Sequence, residues 1–200
     1  GEHHWLAQQL EHASWEGCRF YDLIFPTFVF LAGVSAVFSL LRIRDERGKD
    51  AALVRLLQRA FMIYVLGLFY YGLWSKGWDQ IRWVGVLQRI ALSYLGAGFC
   101  LIFYRTRTLV GITATLLIGY WAALRFIPVP GFGAGDLAEG HNLTNWIDAH
   151  YLPGRKWDGT HDPEGLLSSF PAIATCLLGV FAGLVLRDEK RTPAARVKWL

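Results

Sequence analysis

Long apolar stretches separated by shorter polar segments dominate the 200-residue chain. Five of them are about long enough to cross a hydrocarbon core of roughly 30 Å, which takes about 20 helical residues. The pattern predicts an all-α fold, a polytopic membrane helical bundle with about five transmembrane helices. The predicted spans cover residues 20–41, 52–74, 83–104, 109–127 and 166–186.

Composition and charge support the membrane class. Hydrophobic residues make up 54% of the chain and charged residues only 18%, which is unlike the composition of an ordinary soluble domain. The net charge is +4, but in a membrane chain the placement of Lys and Arg matters more than their total. We therefore expect the lipid bilayer, and no nucleic acid, among the partners.

Most of the 20 Lys and Arg residues fall on one side of the predicted bundle. They lie around the turn between the first two spans, in the turn between the third and fourth, and in the tail, residues 187–200. By the positive-inside rule this side faces the cytoplasm. The segments 1–19, 75–82 and 128–165, with all six histidines, then lie outside, so residue 1 is outside and residue 200 is cytoplasmic.

A histidine and an aspartate lie at the outer end of the first predicted span. His12 is part of the sequence EHASWEG, and Asp22 begins the apolar stretch. An imidazole is the side chain best suited to moving protons at neutral pH, so His12 is a candidate catalytic base, against the alternative of a surface histidine. Asp22 is either an orienting partner for a nearby histidine or a substrate hydroxyl, or simply a negative charge favoured at a helix N-terminus.

Two polar residues, Gln88 and Arg89, lie inside the third predicted span. They are about six residues, or roughly 9 Å, below its outer end. A cation at this depth is costly unless it faces the bundle interior and is paired, which makes it a candidate functional residue. Ligand contact and structural pairing, for instance of Arg89 with Asp22, both fit the pattern.

Two further pairs of charged residues lie near the ends of predicted spans. Asp162 and Glu164 precede the fifth span, where they could bind substrate or could cap the helix and stabilise its dipole. Arg55 and Arg59, spaced i, i+4 at the cytoplasmic end of the second span, could bind phosphate or anchor lipid headgroups.

The sequence contains none of the familiar motifs of soluble enzymes. There is no G-x-S-x-G, H-E-x-x-H, paired C-x-x-C or P-loop pattern. The three cysteines are far apart in sequence, and neither a disulfide framework nor a metal site is indicated. The residues alone predict a polytopic membrane protein with a polar outer pocket.

Four motifs, in order along the chain, carry a family resemblance: HASWEG, DLIFPTFVFLAGVS, GVLQRIALSYL and DPEGLLSSFPAIATCLLG. Together they resemble the transmembrane acyltransferase family that includes heparan-alpha-glucosaminide N-acetyltransferase and its bacterial relatives. The resemblance implies a fold with more spans than the five predicted here. We therefore expect residues 1–200 to be one part of a single transmembrane acyltransferase domain, inactive alone, in a bacterial inner membrane.

The resemblance also implies an activity. In that family acetyl-CoA, the small-molecule acyl donor, is supplied from the cytoplasm as co-substrate and donates its acetyl group to the amine of a terminal glucosamine across the membrane. The family's catalytic histidine just precedes the DLIFP-like span, which places it at His12, as general base or as transient acyl carrier. Arg55 and Arg59 are then candidates for binding the CoA phosphates. The candidates for binding the amino sugar or glycan acceptor, or the reacting carbonyl, are Asp22, Gln88, Arg89, Asp162 and Glu164.

Two other functions remain open from the sequence. An O-acyltransferase of an envelope polysaccharide would use the same donor with a hydroxyl acceptor. A transporter or structural module would use Arg89 and Asp22 in a permeation path or as a packing pair. The oligomeric state is also open, with a homo-oligomer among the alternatives.

Overall fold

The computed structural model describes residues 2–73 and 77–188, and the side chains of residues 5–73 and 77–188. These residues form seven α-helices, one 3-10 helix at Trp78–Gln80 and one two-stranded antiparallel sheet. In chain order the elements are α1 Glu2–Gln9, α2 Phe20–Arg47, α3 Lys49–Tyr70, α4 Val86–Phe103, α5 Thr106–Phe126, β1 Pro128–Val129, β2 Gly133–Ala134, α6 Leu143–Tyr151 and α7 Ser169–Arg187.

Five of the helices, α2, α3, α4, α5 and α7, are long and apolar enough to cross a membrane. The prediction of an all-α membrane bundle with about five spanning helices is confirmed. The helix ends differ from the predicted spans by a few residues. Helix α2 continues beyond the apolar stretch to Arg47, because residues such as Arg42 and Glu46 form i, i+4 pairs that stabilise a polar helical extension.

Turn-forming residues shorten two of the predicted spans. Helix α3 ends at Tyr70, close to Gly72 with its positive φ of 83°, and the last predicted residue of that span, Trp74, lies outside the described residues. Helix α7 begins at Ser169 because the residues just before it form hydrogen-bonded turns, including Gly165 N–H to Asp162 C=O. Apolar composition predicts membrane burial, but it does not locate the residue where the helix begins.

The packed centre of the bundle lies between α2, α4 and α7, with α3 against α4. Its buried residues include Val37 and Leu40 of α2, Tyr94 of α4, and Leu177 and Val180 of α7. Helix α5 packs mainly on α7 and exposes most of its surface. The bundle therefore has a well-packed core on one side and broad apolar faces on the other.

The segments predicted to lie outside meet at one end of the bundle, which we call the outer end. The Trp15 indole Nε1 donates to the carbonyl of Leu137 at 3.0 Å, and Arg82 pairs with Gly154 through a backbone bridge. At the opposite end Arg187 of α7 lies 2.8 Å from Asp45 of α2. The loops predicted to be outside thus form one polar end of the molecule, and the first two-helix turn forms the other.

The positions of the histidines follow this division. The four whose side chains are described, His12, His141, His150 and His161, all belong to the segments at the outer end. The side chains of His3 and His4 lie outside the described set, as do residues 75–76 of the second outer turn and residues 189–200 of the predicted cytoplasmic tail.

Candidate active site

A cavity of about 1000 Å³ opens at the outer end of the bundle. Its wall is built by four segments that are far apart in sequence: the stretch before α2, the turn between α3 and α4, the loop between β2 and α6, and the loop before α7. Two of the candidate residues, His12 and Glu164, contribute to the same wall. The lining also includes Trp15, Tyr71, Arg82, Glu139, Arg155, Trp157 and Asp158.

His12 and Asp22 form a close pair at the rim of this cavity. The His12 Nδ1 atom lies 2.6 Å from Asp22 Oδ1. The Asp22 carboxylate also accepts the backbone N–H groups of Ala13 at 3.3 Å and Arg19 at 2.8 Å. Because an ionised carboxylate can only accept, Nδ1 carries the proton in the neutral ring, and Nε2 is left with its lone pair free to take a proton.

The local sequence explains why Asp22 is held so firmly. It is the third residue of α2, and its carboxylate reaches back to the amide of Arg19, the residue that precedes the helix. It therefore stabilises the helix N-terminus and orients His12 at the same time. The His12 side chain is 70% exposed and stands edge-on to Tyr21, with ring centroids 4.5 Å apart.

Arg82 is the polar centre of the cavity wall, although it was not among the predicted site residues. Its buried guanidinium contacts Asp162 with two bonds of 2.8 and 2.6 Å and Glu164 with one of 2.6 Å. The rings of Tyr71 and Trp157 lie 4.7 and 4.9 Å from it. Burial alone would lower the pKa of Arg82, but the hydrogen bond and charge of Asp162 and the charge of Glu164 raise it above the usual value.

The capping alternative for Asp162 and Glu164 is wrong. Helix α7 begins several residues later, and Ser168, the residue that precedes it, makes no side-chain capping bond. Both acids are held by Arg82 instead, and Asp162 also accepts the N–H of Trp157 at 3.0 Å. Glu164 lines the cavity, and burial raises its pKa even though Arg82 opposes the shift.

A third carboxylate, that of Asp148 in α6, supports the loop before α7. Asp148 was not among the predicted site residues. It is fully buried and accepts the N–H of Leu166 at 2.9 Å and of Asp162 at 3.4 Å. Gly165 lies so close that a side chain there would overlap the Asp148 carboxylate. Burial raises the pKa of Asp148 despite the two backbone donors.

Gln88 and Arg89 lie below the cavity and are not among its lining residues. Gln88 is fully buried, and its Nε2 donates to the carbonyl of Arg82 at 3.4 Å. Arg89 donates to the carbonyl of Pro163 at 3.0 Å and to the hydroxyl of Ser168. The anticipated pairing of Arg89 with Asp22 is wrong, since Asp22 bonds to His12 and to two backbone amides.

Of the two arginines proposed for CoA, Arg55 lines a cleft and Arg59 does not. Arg55 lines a cleft of about 730 Å³ at the opposite end of the bundle, with Arg42 and Arg47. Arg59, one turn further into α3, is half-buried and lies 5.0 Å from the Tyr94 ring. Across residues 5–73 and 77–188, whose side chains are described, no group of three or more His, Cys, Asp and Glu side chains is placed to hold a metal ion.

Comparison with known proteins shows the family. The family model described as heparan-alpha-glucosaminide N-acetyltransferase, catalytic, matches residues 3–199. Two curated relatives, the heparan-alpha-glucosaminide N-acetyltransferases of Mus musculus and Homo sapiens, are each 29% identical to this chain over 227 residues. The match covers 88% of this chain and 34% of each relative, so the chain spans about a third of the length of the curated relatives it matches. Because the family match extends over nearly all 200 residues, the chain belongs to the heparan-alpha-glucosaminide N-acetyltransferase catalytic family.

Proposed function

We propose that the protein is a membrane-embedded acetyltransferase that moves an acetyl group from cytoplasmic acetyl-CoA to an amino sugar on the extracytoplasmic side of a bacterial inner membrane. The observation that carries the proposal is the His12–Asp22 pair at the rim of the outer cavity. It occurs in a chain that belongs to an N-acetyltransferase family. In this proposal the outer cavity receives the sugar and His12 is the catalytic residue.

The reaction needs a base at the position of His12. The amine nitrogen of the acceptor attacks the carbonyl carbon of the thioester, the C–S bond breaks, and the thiolate of CoA leaves. The amine must lose a proton, which the free Nε2 of His12 accepts and can then pass to the leaving thiolate. Asp22 stabilises the imidazolium that forms and keeps the ring in the required tautomer.

A second route uses His12 as the nucleophile. Nε2 then attacks the thioester carbon and the thiolate leaves; the amine next attacks the acetyl-imidazole, the C–N bond to Nε2 breaks, and the freed Nε2 accepts the proton that the amine loses. Rapid-quench labelling with radioactive acetyl-CoA and no acceptor separates the two routes. Label retained on the wild-type protein but absent from His12→Ala supports the carrier route, and the absence of any labelled protein supports direct transfer.

Gln88 and Arg89 remain the proposed donors to the carbonyl oxygen that becomes negative during attack. Gln88 is buried and Arg89 half-buried just below the cavity, where a hydrogen bond to a developing charge is stronger than in water. The Gln88 amide makes one bond of 3.4 Å and leaves Oε1 without a hydrogen-bond partner among the described residues. This long hydrogen bond is therefore weak enough to be exchanged for a bond to a ligand.

The arginine-lined cleft at the opposite end is the proposed binding site for the CoA phosphates. Arg42, Arg47 and Arg55 come from α2 and α3 and surround one opening, and guanidinium groups suit bidentate binding of phosphate. Arg59 lies one turn deeper, where it could contact the donor further along its path. If Arg59→Ala leaves the apparent affinity for acetyl-CoA unchanged, Arg59 does not bind the donor and its role is structural.

The proposed function is tested with intact protein in lipid nanodiscs, labelled acetyl-CoA and a panel of acceptors. We expect transfer to glucosamine and none to N-acetylglucosamine, because the amine of the latter is already blocked. Transfer to hydroxyl groups of both sugars would instead identify an O-acyltransferase. No transfer to either sugar or to simple glycans would contradict the proposal.

A further inference from the structure

Four side chains at the outer end form a cluster that the proposed chemistry does not use: His161, Glu139, Asp158 and Trp15. The imidazole of His161 is the buried member, with its side chain 6% exposed. Its Nδ1 pairs with the hydroxyl of Thr160 at 3.1 Å. Its Nε2 has no hydrogen-bond partner among the described residues.

The unpartnered Nε2 is directed towards two carboxylates. It lies 3.7 Å from Glu139 Oε1 and 3.7 Å from Asp158 Oδ2. Both distances are longer than a hydrogen bond. A buried polar nitrogen without a partner is uncommon in folded proteins. Glu139 and Asp158, in contrast, are 55% and 37% exposed and line the cavity.

Aromatic rings connect this cluster to His12. Trp15 stands edge-on to His161 with centroids 6.2 Å apart, and its Nε1 bonds to the Leu137 carbonyl. It follows His12 by three residues, and both line the same cavity. Trp157, next to Asp158 in sequence, adds a second exposed indole to the lining.

We propose that Glu139 and Asp158, positioned by His161, form a subsite that binds ring hydroxyl groups of the acceptor sugar. The inference rests on the proposed function and adds the residues that select the acceptor. Each carboxylate accepts a charge-assisted hydrogen bond from a hydroxyl group. The buried imidazole of His161, with Nε2 3.7 Å from an oxygen of each carboxylate, holds the two acids close together. The Trp15 and Trp157 rings offer apolar surface to the C–H face of the sugar.

The chemistry favours hydroxyl groups over the amine as the ligand of this cluster. Two carboxylates close to an amine stabilise its ammonium form, which has no lone pair and cannot attack the thioester. The reacting amine therefore has to lie at His12, away from Glu139 and Asp158. A sugar ring offers hydroxyl groups on the other side of the same molecule.

The test measures sugar binding to the intact protein in nanodiscs without any acyl donor, by calorimetry, with glucosamine and glucose as probes. Glu139→Gln, Asp158→Asn and His161→Gln are compared with wild type. Asp136→Asn is the matched control, since Asp136 belongs to the same outer loop and pairs with His141 away from the cavity lining. We expect the Kd for both sugars to rise about three- to tenfold in the first two variants and to stay unchanged in the control.

The outcomes separate the subsite from the proposed function. A loss of preference for glucosamine over glucose in Asp158→Asn would mean that the cluster binds the amine, and would overturn the inference. Unchanged binding of both sugars in Glu139→Gln and Asp158→Asn would also overturn it. Weaker sugar binding in these variants, together with no acetyl transfer by wild type, would support the subsite and contradict the proposed function. In the intact reaction, the inference predicts a raised KM for the acceptor with little change in the KM for acetyl-CoA.

Discussion

At the scale of single residues, Arg82 joins the turn between α3 and α4 to the loop before α7. Its guanidinium is shared by Asp162 and Glu164, which follow it by about 80 positions in sequence. All three side chains are largely buried. A buried charge is tolerated only while it is paired, so the cavity wall depends on the whole group and not on any one of its members.

Removing Arg82 alone is expected to destabilise the protein strongly. Arg82→Met leaves two carboxylates buried without their cation, a change that costs about 3–5 kcal/mol in comparable buried pairs. Thermal unfolding of purified protein in detergent would measure the loss. Arg155→Met is the control, because Arg155 is an exposed arginine of the loop before α7 that lines the same cavity. Equal melting temperatures for Arg82→Met and wild type would show that the network does not support the fold.

At the scale of elements, α2 and α7 contact each other through their backbones. A Cβ atom at Gly33 of α2 would overlap the carbonyl of Cys176, and one at Gly179 of α7 would overlap the carbonyl of Phe30. Two helices that approach this closely gain van der Waals contact along their length. Helix α2 carries Asp22 at its outer end, so its packing on α7 also positions His12 relative to the loop before α7.

Alanine at either of these two glycines is expected to separate α2 from α7. Gly33→Ala and Gly179→Ala should each lower stability by about 1–3 kcal/mol, the usual range for an overpacked core. Gly119→Ala is the matched control, since this helical glycine of α5 has open space around it, and alanine is the better helix former. The account of this interface fails if all three variants unfold at the same temperature.

At the scale of the whole molecule, the two polar ends differ in chemistry. The outer end carries the histidines and the carboxylate network, and the other end carries the arginine-lined cleft and the Arg187–Asp45 pair. A transfer that begins on one side of the membrane and ends on the other fits this division. It requires the segment before α2 to lie outside the cell.

The native cysteines offer a test of this orientation. Cys18 is exposed in the segment before α2, whereas Cys176 is buried in α7. A membrane-impermeant maleimide added to intact spheroplasts should label the wild-type protein, and Cys18→Ser should remove that label. Labelling at Cys18 that requires permeabilised membranes would reverse the proposed orientation.

The sequence was sufficient for the fold class because lipid imposes a simple rule on composition and length. Runs of about 20 apolar residues identify spanning helices wherever they occur, and the motifs around His12 identified the family. The pairing of His12 with Asp22 was also within reach, since His12 lies only ten residues before Asp22, in the segment that leads into α2.

The cavity wall was beyond what the sequence could predict. Arg82 looked like an ordinary residue at the edge of a span, and Asp148 and His161 have no local pattern that distinguishes them. Their partners lie on other segments, so only the folded loop brings the charges together. Two signals were available: Arg82 lies just before an apolar stretch, and DPEG contains two acidic residues. Nothing in their sequence spacing indicates that these residues pair with each other.

The central claim is that His12 carries the proton or the acetyl group in the outer cavity, and single-turnover transfer from labelled acetyl-CoA to glucosamine by the intact protein tests it most directly. His12→Ala should reduce the transfer rate by at least about 10²-fold, the range for loss of a general base, with unchanged binding of acetyl-CoA. His150→Ala, which removes an exposed histidine stacked on Trp146, should retain the wild-type rate. Transfer by His12→Ala at the wild-type rate would contradict the account.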